Sequence, residues 1–324
     1  MRYLFRVDIS NATGLGHITR CLAFATALHK TGSTPIFVVN SDAKGIFEIP
    51  ALFSVFSCES SMSMQDWPDA EVCIVDLYEY SADYYKNLSK KYSRIAIFDD
   101  CMFQAPESIS AIINPNIYAN SSMYPPGVLV FAGPHYYLLR QEFTDCPPES
   151  HDGTHVLICM GGSDPEGQTG RILAIVRRVT DRPIDVVFGS PNQESSLADY
   201  SGLPGVTLHK SVDRMSPLMD RAAYAVVGAG TLLYELAYMG VPAACLSLAE
   251  NQRMNAEAFA EKNAALFIGH HKHVPDDAIA AAIARLEHET ALRAAIKGNA
   301  QKLIDGLGAK RLAKDLAAWI LTGI

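Results

Sequence analysis

The stretches Tyr3-Leu4-Phe5-Arg6-Val7 and Thr13-Gly14-Leu15-Gly16-His17-Ile18 decide the fold prediction, since they place a short apolar strand, a glycine turn and a helix in succession. Apolar residues recur on one face of the helix from Ile18 to Leu28, and Gly32 is suited to end it. Such a strand-turn-helix sequence is typical of the start of a β-α-β unit, in which helices cover parallel strands.

Apolar runs alternate with helical patterns along the rest of the chain. A polar stretch rich in Pro and Gly, 146–153, separates two such series and predicts an N-terminal domain, 1–148, and a C-terminal domain, 149–324. The predicted class is therefore α/β, with two Rossmann-like domains whose parallel sheets face across a cleft. A last helix near 309–321 is suited to cross back onto the first domain. The predicted strands are 3–7, 35–39, 71–76, 94–98, 111–114, 155–160, 184–188, 206–209, 224–227 and 243–247, with a helix near 82–91.

Composition limits the function classes. The chain has 324 residues, 49% of them apolar, and a net charge of -8, which argues against nucleic acid as the main partner. Neither a signal peptide nor a membrane span is apparent, and the seven cysteines are scattered, as expected for reduced thiols in a cytoplasmic protein. The sequence does not reveal the oligomeric state.

The first glycine turn resembles a dinucleotide fingerprint only in part. Gly14 and Gly16 are present, but Thr19 occupies the place of the third glycine, so binding of NAD or FAD is disfavoured and no cofactor is predicted. His17, in the first turn of the helix, is placed to face the crevice where α/β proteins bind ligands. The alternative is a histidine that only caps the turn.

The second half carries two phosphate-suited turns, 159–164 and 226–231, each at the end of a predicted strand. Gly228, Gly230 and Thr231 would expose N–H groups of the following helix. Glu235 lies one helical turn after Thr231, where its carboxylate can accept hydrogen bonds from ribose hydroxyls. A structural alternative is a capping pair followed by an ordinary helix stop at 240–242.

Several motifs together resemble a known family. The segment from Glu235 to Gly240-Val241-Pro242 is similar to the donor-nucleotide signature of GT-B glycosyltransferases. The chain as a whole resembles the UDP-2,4-diacetamido-2,4,6-trideoxy-β-L-altropyranose hydrolases of pseudaminic acid biosynthesis and the related spore-coat polysaccharide proteins. The matching pieces, in order over residues 1 to about 260, are Phe5-Arg6-x-Asp8, Gly14-x-Gly16-His17-Ile18-x-Arg20, Asp76-x-Tyr78, Phe98-Asp99-Asp100, Asn114-x-Asn116-x-Tyr118-Ala119, Leu139-Arg140-x-Glu142-Phe143, Cys159-Met160-Gly161-Gly162-x-Asp164, Glu235 and Asn251-Gln252.

The resemblance implies hydrolysis of a UDP-linked amino sugar to free sugar and UDP, with His17 as catalytic base and UDP bound by the C-terminal domain. Asp8 could orient the imidazole, sense a sugar amide, or form a structural pair with Arg6 or Arg20. The implied substrate-binding residues are Arg6, Gly14, Gly16, Arg20, Tyr78, Asp99 and Asn116. The implied nucleotide-binding residues are Gly161, Gly162, Ser163, Gly228, Gly230, Thr231, Leu232, Glu235, Asn251 and Gln252.

Departures from the family pattern leave the sugar and the acceptor open. Leu77 stands where the family usually carries a histidine, and Val7 and Ile9 replace smaller polar residues. The alternatives are a GT-B glycosyltransferase that passes the sugar to an acceptor, and a binding protein or hydrolysing 2-epimerase. No metal is predicted, because the chain lacks an Asp-x-Asp pair and the cluster His270-His271-Lys272-His273 has no matching acids or cysteines.

Overall fold

The computed structural model describes residues 1–9, 16–40, 48–58, 64–77, 81–100, 106–145, 153–161, 164, 167–189, 194, 197, 200 and 202–322, with the side chain of residue 251 excepted. The chain forms two compact units: the first comprises Met1–Arg140 and Gly306–Ile324, and the second comprises Gln141–Asp305. No described helix is long and apolar enough to cross a membrane.

The first unit contains a seven-stranded parallel sheet in the order β3-β2-β1-β4-β5-β6-β7. Its strands are β1 (Arg2–Val7), β2 (Thr34–Asn40), β3 (Ser54–Cys58), β4 (Val72–Asp76), β5 (Ile95–Phe98), β6 (Ala111–Asn114) and β7 (Leu129–Ala132). The described helices are α1 (Gly16–Lys30) and α2 (Ala82–Leu88), with α10 (Gly308–Thr322) from the end of the chain.

Side-chain alternation along β1 divides the first core into two layers. Tyr3, Phe5 and Val7 pack with the buried faces of α1 and α10, whereas Leu4 packs on the opposite face of the sheet with Trp67. Contacts made by Asp315 and Gly308 hold α10 in this unit. The hydroxyl of Tyr136 donates to Asp315 at 2.9 Å, and any Cβ on Gly308 would collide with the backbone of residue 137.

The second unit contains a six-stranded parallel sheet in the order β10-β9-β8-β11-β12-β13. Its strands are β8 (His155–Cys159), β9 (Ile184–Phe188), β10 (Val206–Lys210), β11 (Ala222–Gly228), β12 (Ala243–Ser247) and β13 (Leu266–His270). Its described helices are α3 (Gln141–Asp145), α4 (Gln168–Val179), α5 (Ser216–Asp220), α6 (Leu232–Met239), α7 (Glu250–Glu261), α8 (Asp276–His288) and α9 (Thr290–Leu303).

Both strand orders read 3-2-1-4-5-6 within their own unit, with β7 added in the first, which is the Rossmann order. The predicted α/β class with two Rossmann-like parallel sheets is confirmed. In this order the strand sequence reverses beside the first strand, and ligands bind outside the carboxyl ends of the strands at that point. The switch points lie between β1 and β4 in the first unit and between β8 and β11 in the second.

The structure differs from the sequence predictions at the sheet edges and at the domain boundary. Strands β3, β7 and β13 were not predicted, and each lies at the edge of its sheet. The chain passes from the first unit to the second at residues 140 and 141, somewhat before the predicted boundary after residue 148, because α3 packs on α6 of the second unit. Helix α10 lies in the first unit, against α1.

Candidate active site and nucleotide-binding loops

The switch point of the first unit brings His17 and Asp76 together. His17 lies in the first turn of α1, with the residue only 8% exposed, and Asp76 is the last residue of β4, 1% exposed. Because β4 pairs with β1 in parallel, with Asp76 opposite Val7, the carboxylate lies at the strand end beside the start of α1. The two side chains meet although they are 59 positions apart in sequence.

The contact between them determines which nitrogen of the neutral imidazole carries the proton. Nδ1 of His17 lies 2.5 Å from Oδ1 of Asp76. An ionised carboxylate only accepts hydrogen bonds, so the neutral ring carries its proton on Nδ1 and donates it to Asp76. The other nitrogen, Nε2, then holds the lone pair and is the atom that can take a proton from a reactant.

Arg20 holds Asp76 from the same helix face. Its Nε donates to Oδ2 of Asp76 at 2.7 Å and its Nη2 donates to Oδ1 at 2.6 Å, a bidentate geometry. The guanidinium also lies over the ring of Phe98, 4.6 Å from its centroid. Burial alone raises the pKa of Asp76, but the charge of Arg20 and the hydrogen bonds from Arg20 and His17 outweigh it and hold that pKa well below its usual range.

A polar network extends from Arg20 to Asp100 and Asn116. Nη1 of Arg20 lies 2.8 Å from Oδ2 of Asp100. Nδ2 of Asn116 donates to Oδ1 of Asp100 and to Oδ1 of Asn114, each at 2.9 Å. The hydroxyl of Tyr118 donates to the backbone carbonyl of Asp100 at 2.9 Å. Asn116, an implied substrate-binding residue, therefore belongs to a network that fixes Arg20.

Asp99, the other implied acid of this segment, points into the protein. It is 2% exposed and is hydrogen-bonded to the hydroxyl of Tyr124, which also accepts from Nδ2 of Asn114 at 2.8 Å. Burial raises the pKa of Tyr124. The acid beside the His17 site is therefore Asp100, the second residue of the Asp99-Asp100 pair, which pairs with Arg20.

Asp8 does not orient His17. Its Oδ1 lies 2.6 Å from Nη1 of Arg6, so the pairing with Arg6 is the alternative that the structure contains. The carboxylate that contacts the imidazole of His17 is that of Asp76. Side chains alternate across a strand, so Arg6 extends from the face of the sheet opposite that of Val7 and α1.

Gly16 begins α1 and leaves room at its N-terminal end. A Cβ built on Gly16 would meet no heavy atom within 4 Å in the described part of the chain. Of the other implied residues, Gly14, Tyr78, Gly162 and Ser163 lie outside the described residues. Asn251 is described only as part of the backbone of α7.

The switch point of the second unit gathers the small residues of the nucleotide-binding prediction. Gly228 ends β11, and a Cβ there would lie 3.0 Å from Cδ1 of Leu248, so a larger residue would crowd the loop after β12. Gly230 lies beside Gln252: a Cβ on this glycine would be 3.9 Å from Nε2 of the glutamine. Oε1 of Gln252 accepts from the backbone N–H of Leu248 at 3.0 Å, which fixes the orientation of its amide.

Helix α6 follows this turn. Thr231 precedes it, Leu232 is its first residue and Glu235 lies in its first turn, 5% exposed. Gly240 ends the helix with φ of 70° and donates its N–H to backbone carbonyls of the last turn. The stop at 240–242 is therefore an ordinary left-handed helix end.

The turn after β8 has a structural component as well. Gly161 adopts φ of 93°, a left-handed conformation that favours glycine. Asp164 is buried and accepts hydrogen bonds from the backbone N–H groups of Gln168 and Thr169, at 2.9 and 2.8 Å. This acid therefore satisfies two N–H groups in the first turn of α4.

The histidine cluster after β13 shows no metal-binding geometry. His270 and His271 stack with their ring centroids 4.5 Å apart, and Nδ1 of His271 lies 3.1 Å from the carbonyl oxygen of Ser247. Among the described residues, no group of three or more His, Cys, Asp or Glu side chains is arranged to hold a metal ion. The five described cysteines are free thiols.

Comparisons with known proteins agree with the motif resemblance. No model of a protein family matches the chain. The chain is homologous to the spore coat polysaccharide biosynthesis protein SpsG of Bacillus subtilis, with 26% identity covering 94% of both chains. It is also homologous to the UDP-2,4-diacetamido-2,4,6-trideoxy-beta-L-altropyranose hydrolase of Campylobacter jejuni, with 26% identity over 81% of this chain and 97% of the relative.

Solved structures show that the fold is GT-B. Acinetobacter baumannii MurG superposes with a TM-score of 0.66 at 13% identity, covering 98% of this chain and 100% of MurG. LpCGTa, crystallised in complex with UDP, gives a TM-score of 0.67 at 14% identity, with 98% of this chain and 99% of LpCGTa covered.

Proposed function

We propose that the protein hydrolyses a UDP-linked amino sugar to the free sugar and UDP. The observation that carries this proposal is the buried His17–Asp76–Arg20 arrangement at the switch point of the first unit, which prepares one imidazole nitrogen to accept a proton. A buried carboxylate that fixes the tautomer of a histidine and stabilises its protonated form supports general-base catalysis by that histidine.

In the proposed reaction, Nε2 of His17 takes a proton from a water molecule. The water oxygen forms a bond to the anomeric carbon while the bond between that carbon and the diphosphate oxygen breaks, and UDP departs with the bonding electrons. Attack from the side opposite the leaving group inverts the anomeric centre. Asp76 stabilises the imidazolium formed, and Arg20 keeps Asp76 ionised and in place.

Residues of the second unit are proposed to bind the nucleotide. The turn at Gly228 and Gly230 leads into α6, whose N-terminal end is suited to phosphate oxygens. Glu235 is proposed to bind the ribose, and Gln252 lies beside Gly230. This route to stabilising the leaving group involves no metal ion, so we propose turnover that is independent of metals and cofactors.

The substrate, the pathway and the cellular compartment are proposed from the similarity to the Campylobacter jejuni protein. The name of the Campylobacter jejuni protein specifies a UDP-linked diacetamido sugar. We propose the same sugar here, UDP-2,4-diacetamido-2,4,6-trideoxy-β-L-altropyranose, and a place in the cytoplasm within nonulosonic (pseudaminic) acid biosynthesis.

Replacing Glu235 with alanine is expected to weaken UDP binding. The loss of charge-assisted hydrogen bonds to the ribose predicts a cost of about 1.5–3 kcal/mol, or about 10- to 150-fold in Kd. Isothermal titration calorimetry with UDP measures it. Glu257→Ala, which removes an exposed carboxylate from α7, is the matched control and should bind UDP as the wild type does. Unchanged affinity in folded Glu235→Ala would exclude Glu235 from the nucleotide site.

Hydrolysis in ¹⁸O-labelled water identifies the bond that breaks. Attack at the anomeric carbon should place the label on C1 of the free sugar and leave UDP unlabelled, because only the C–O bond is cleaved. Mass spectrometry of both products distinguishes this from attack at phosphorus. Label in the nucleotide would contradict the proposal and indicate a pyrophosphatase-like reaction.

A GT-B glycosyltransferase is the second candidate function, and the fold likeness favours it. In that reaction the proton acceptor at His17 would activate a hydroxyl of an acceptor molecule instead of water. Incubation with the UDP-sugar alone separates the two candidates. Release of UDP at the full rate without an acceptor favours the hydrolase, whereas release only on addition of an acceptor would favour the transferase.

A further inference from the structure

Polar side-chain atoms of Arg6, Asp8, Trp67 and Tyr84 are buried in the first unit. Within the described part of the chain, Nε of Arg6, Nε1 of Trp67 and the hydroxyl of Tyr84 have no hydrogen-bond partner, whereas Nη1 of Arg6 and Oδ1 of Asp8 form an ion pair with each other. Folding removes such groups from water, and in native proteins most find a partner in protein, water or ligand. Their concentration in one unit therefore calls for an explanation.

These four residues form one group, named here the Arg6 cluster. The guanidinium of Arg6 lies 6.0 Å from the ring centroid of Trp67, and its Nη1 forms an ion pair with Oδ1 of Asp8 at 2.6 Å. Tyr84 packs against the same apolar layer as Trp67. Arg6 and Trp67 are at least nine-tenths buried, whereas the side chain of Asp8 is 44% exposed, so the cluster reaches the surface at Asp8.

The Arg6 cluster and the His17 site share one edge of the sheet. Arg6 and Asp8 flank Val7 in sequence, and Val7 pairs with Asp76. Adjacent strands are about 4.8 Å apart, and successive side chains point to opposite faces. A molecule held at the carboxyl ends of β1 and β4 can therefore contact His17 on one face and the Arg6 cluster on the other.

The chemistry of the cluster selects a neutral group rich in hydrogen-bond acceptors. Arg6, Trp67 and Tyr84 offer N–H and O–H donors, whereas Asp8 offers an acceptor. The charges of Arg6 and Asp8 cancel, so a carboxylate or phosphate would meet no net positive charge. Burial raises the pKa of Tyr84, which keeps its hydroxyl protonated and able to donate at neutral pH. An amide offers a carbonyl acceptor and an N–H donor, which is the complementary set.

We infer that the Arg6 cluster is the subsite for an acylamino substituent of the sugar, with Trp67 and Tyr84 as specificity-determining residues. The carbonyl oxygen accepts from Nε1 of Trp67 and from the hydroxyl of Tyr84, and the amide N–H donates to Asp8. This inference rests on the proposed function, since it assigns the residues that recognise the acylamino substituent of the sugar beside the reacting carbon.

The test uses Trp67→Phe and Tyr84→Phe, each of which removes one donor and keeps an aromatic ring. The probes are UDP-2,4-diacetamido-2,4,6-trideoxy-β-L-altropyranose and its two counterparts in which one acetamido group is replaced by hydroxyl. Selectivity is the ratio of kcat/KM for the diacetamido sugar to that for each counterpart. We expect one of the two ratios to fall about tenfold in each variant, the usual scale of one hydrogen bond.

Tyr92→Phe is the matched control. Its hydroxyl donates to the backbone of Pro68 at 2.7 Å in the same apolar layer, outside the Arg6 cluster, so the variant should change stability and leave both ratios unaltered. Ratios unchanged within about twofold in both Trp67→Phe and Tyr84→Phe would overturn the subsite. If the wild type releases no UDP from any probe, the proposed hydrolysis fails, and the same ratios taken from calorimetric Kd values decide the subsite separately.

Discussion

His17→Ala is expected to release UDP from the sugar substrate about 10²–10⁴ times more slowly than the wild type, the usual scale of general-base assistance. The water would then lack the proton acceptor that the contact with Asp76 prepares. UDP affinity should change little, since the nucleotide is proposed to bind through residues of the second unit. Single-turnover kinetics of UDP release and calorimetry with UDP measure the two quantities.

A second Asp–His–Arg arrangement provides the control. Asp185 is 1% exposed, accepts from Nε and Nη2 of Arg221 at 2.8 and 2.6 Å, and lies 2.7 Å from Nε2 of His209. Asp185 and Arg221 lie near the amino ends of β9 and β11, the end opposite to that where α/β proteins bind ligands. His209→Ala should therefore keep its rate of UDP release. A near-normal rate of UDP release in His17→Ala would indicate that His17 only caps the turn and is not a catalytic base.

Strands at the centre of each sheet were predictable, and three of the edge strands were not. Central strands such as β2 and β4 are buried on both faces and appear in the sequence as continuous apolar runs. The residues of β3, by contrast, are half-exposed or exposed throughout, and its sequence Ser-Val-Phe-Ser-Cys gives no apolar run. Its pairing depends on the neighbouring strand β2, which a local pattern does not contain.

Site residues that depend only on local sequence could be predicted. His17 follows from its position in the first helical turn after β1. Its partner Asp76 was recognised only as part of a motif, because the contact requires the parallel pairing of β1 with β4, which lies beyond any local pattern. Asp8, close to His17 in sequence, was the nearer candidate, but it extends on the other face of the sheet toward Arg6. The sequence feature that could have identified the partner of His17 is an acid at the end of β4, the strand adjacent to β1.

Asp76→Asn is expected to slow UDP release by about 10²–10⁴, on the scale that applies to loss of the acid in a histidine-acid pair. The amide is nearly the same shape but carries no charge. It cannot stabilise the imidazolium, and its NH₂ group can donate to Nδ1 and so place the ring proton on Nε2, the wrong nitrogen for accepting one from water. Asp185→Asn makes the same chemical change in the other arrangement and is the matched control for effects on folding alone.

The pH dependence of stability separates the charge of Asp76 from its shape. Since Arg20 and His17 hold the pKa of Asp76 below its usual range despite burial, the ionised form stabilises the folded state. This contribution is fully present above the unfolded aspartate pKa of about 4 and is lost as pH falls through the lower folded pKa. As the pH is lowered from about 5 to about 3, the difference in free energy of unfolding between wild type and Asp76→Asn should therefore shrink. Urea denaturation across this range measures it. Near-normal turnover in Asp76→Asn would show that Asp76 does not orient His17. A stability difference that grows as the pH falls would show that the negative charge of Asp76 does not stabilise the fold.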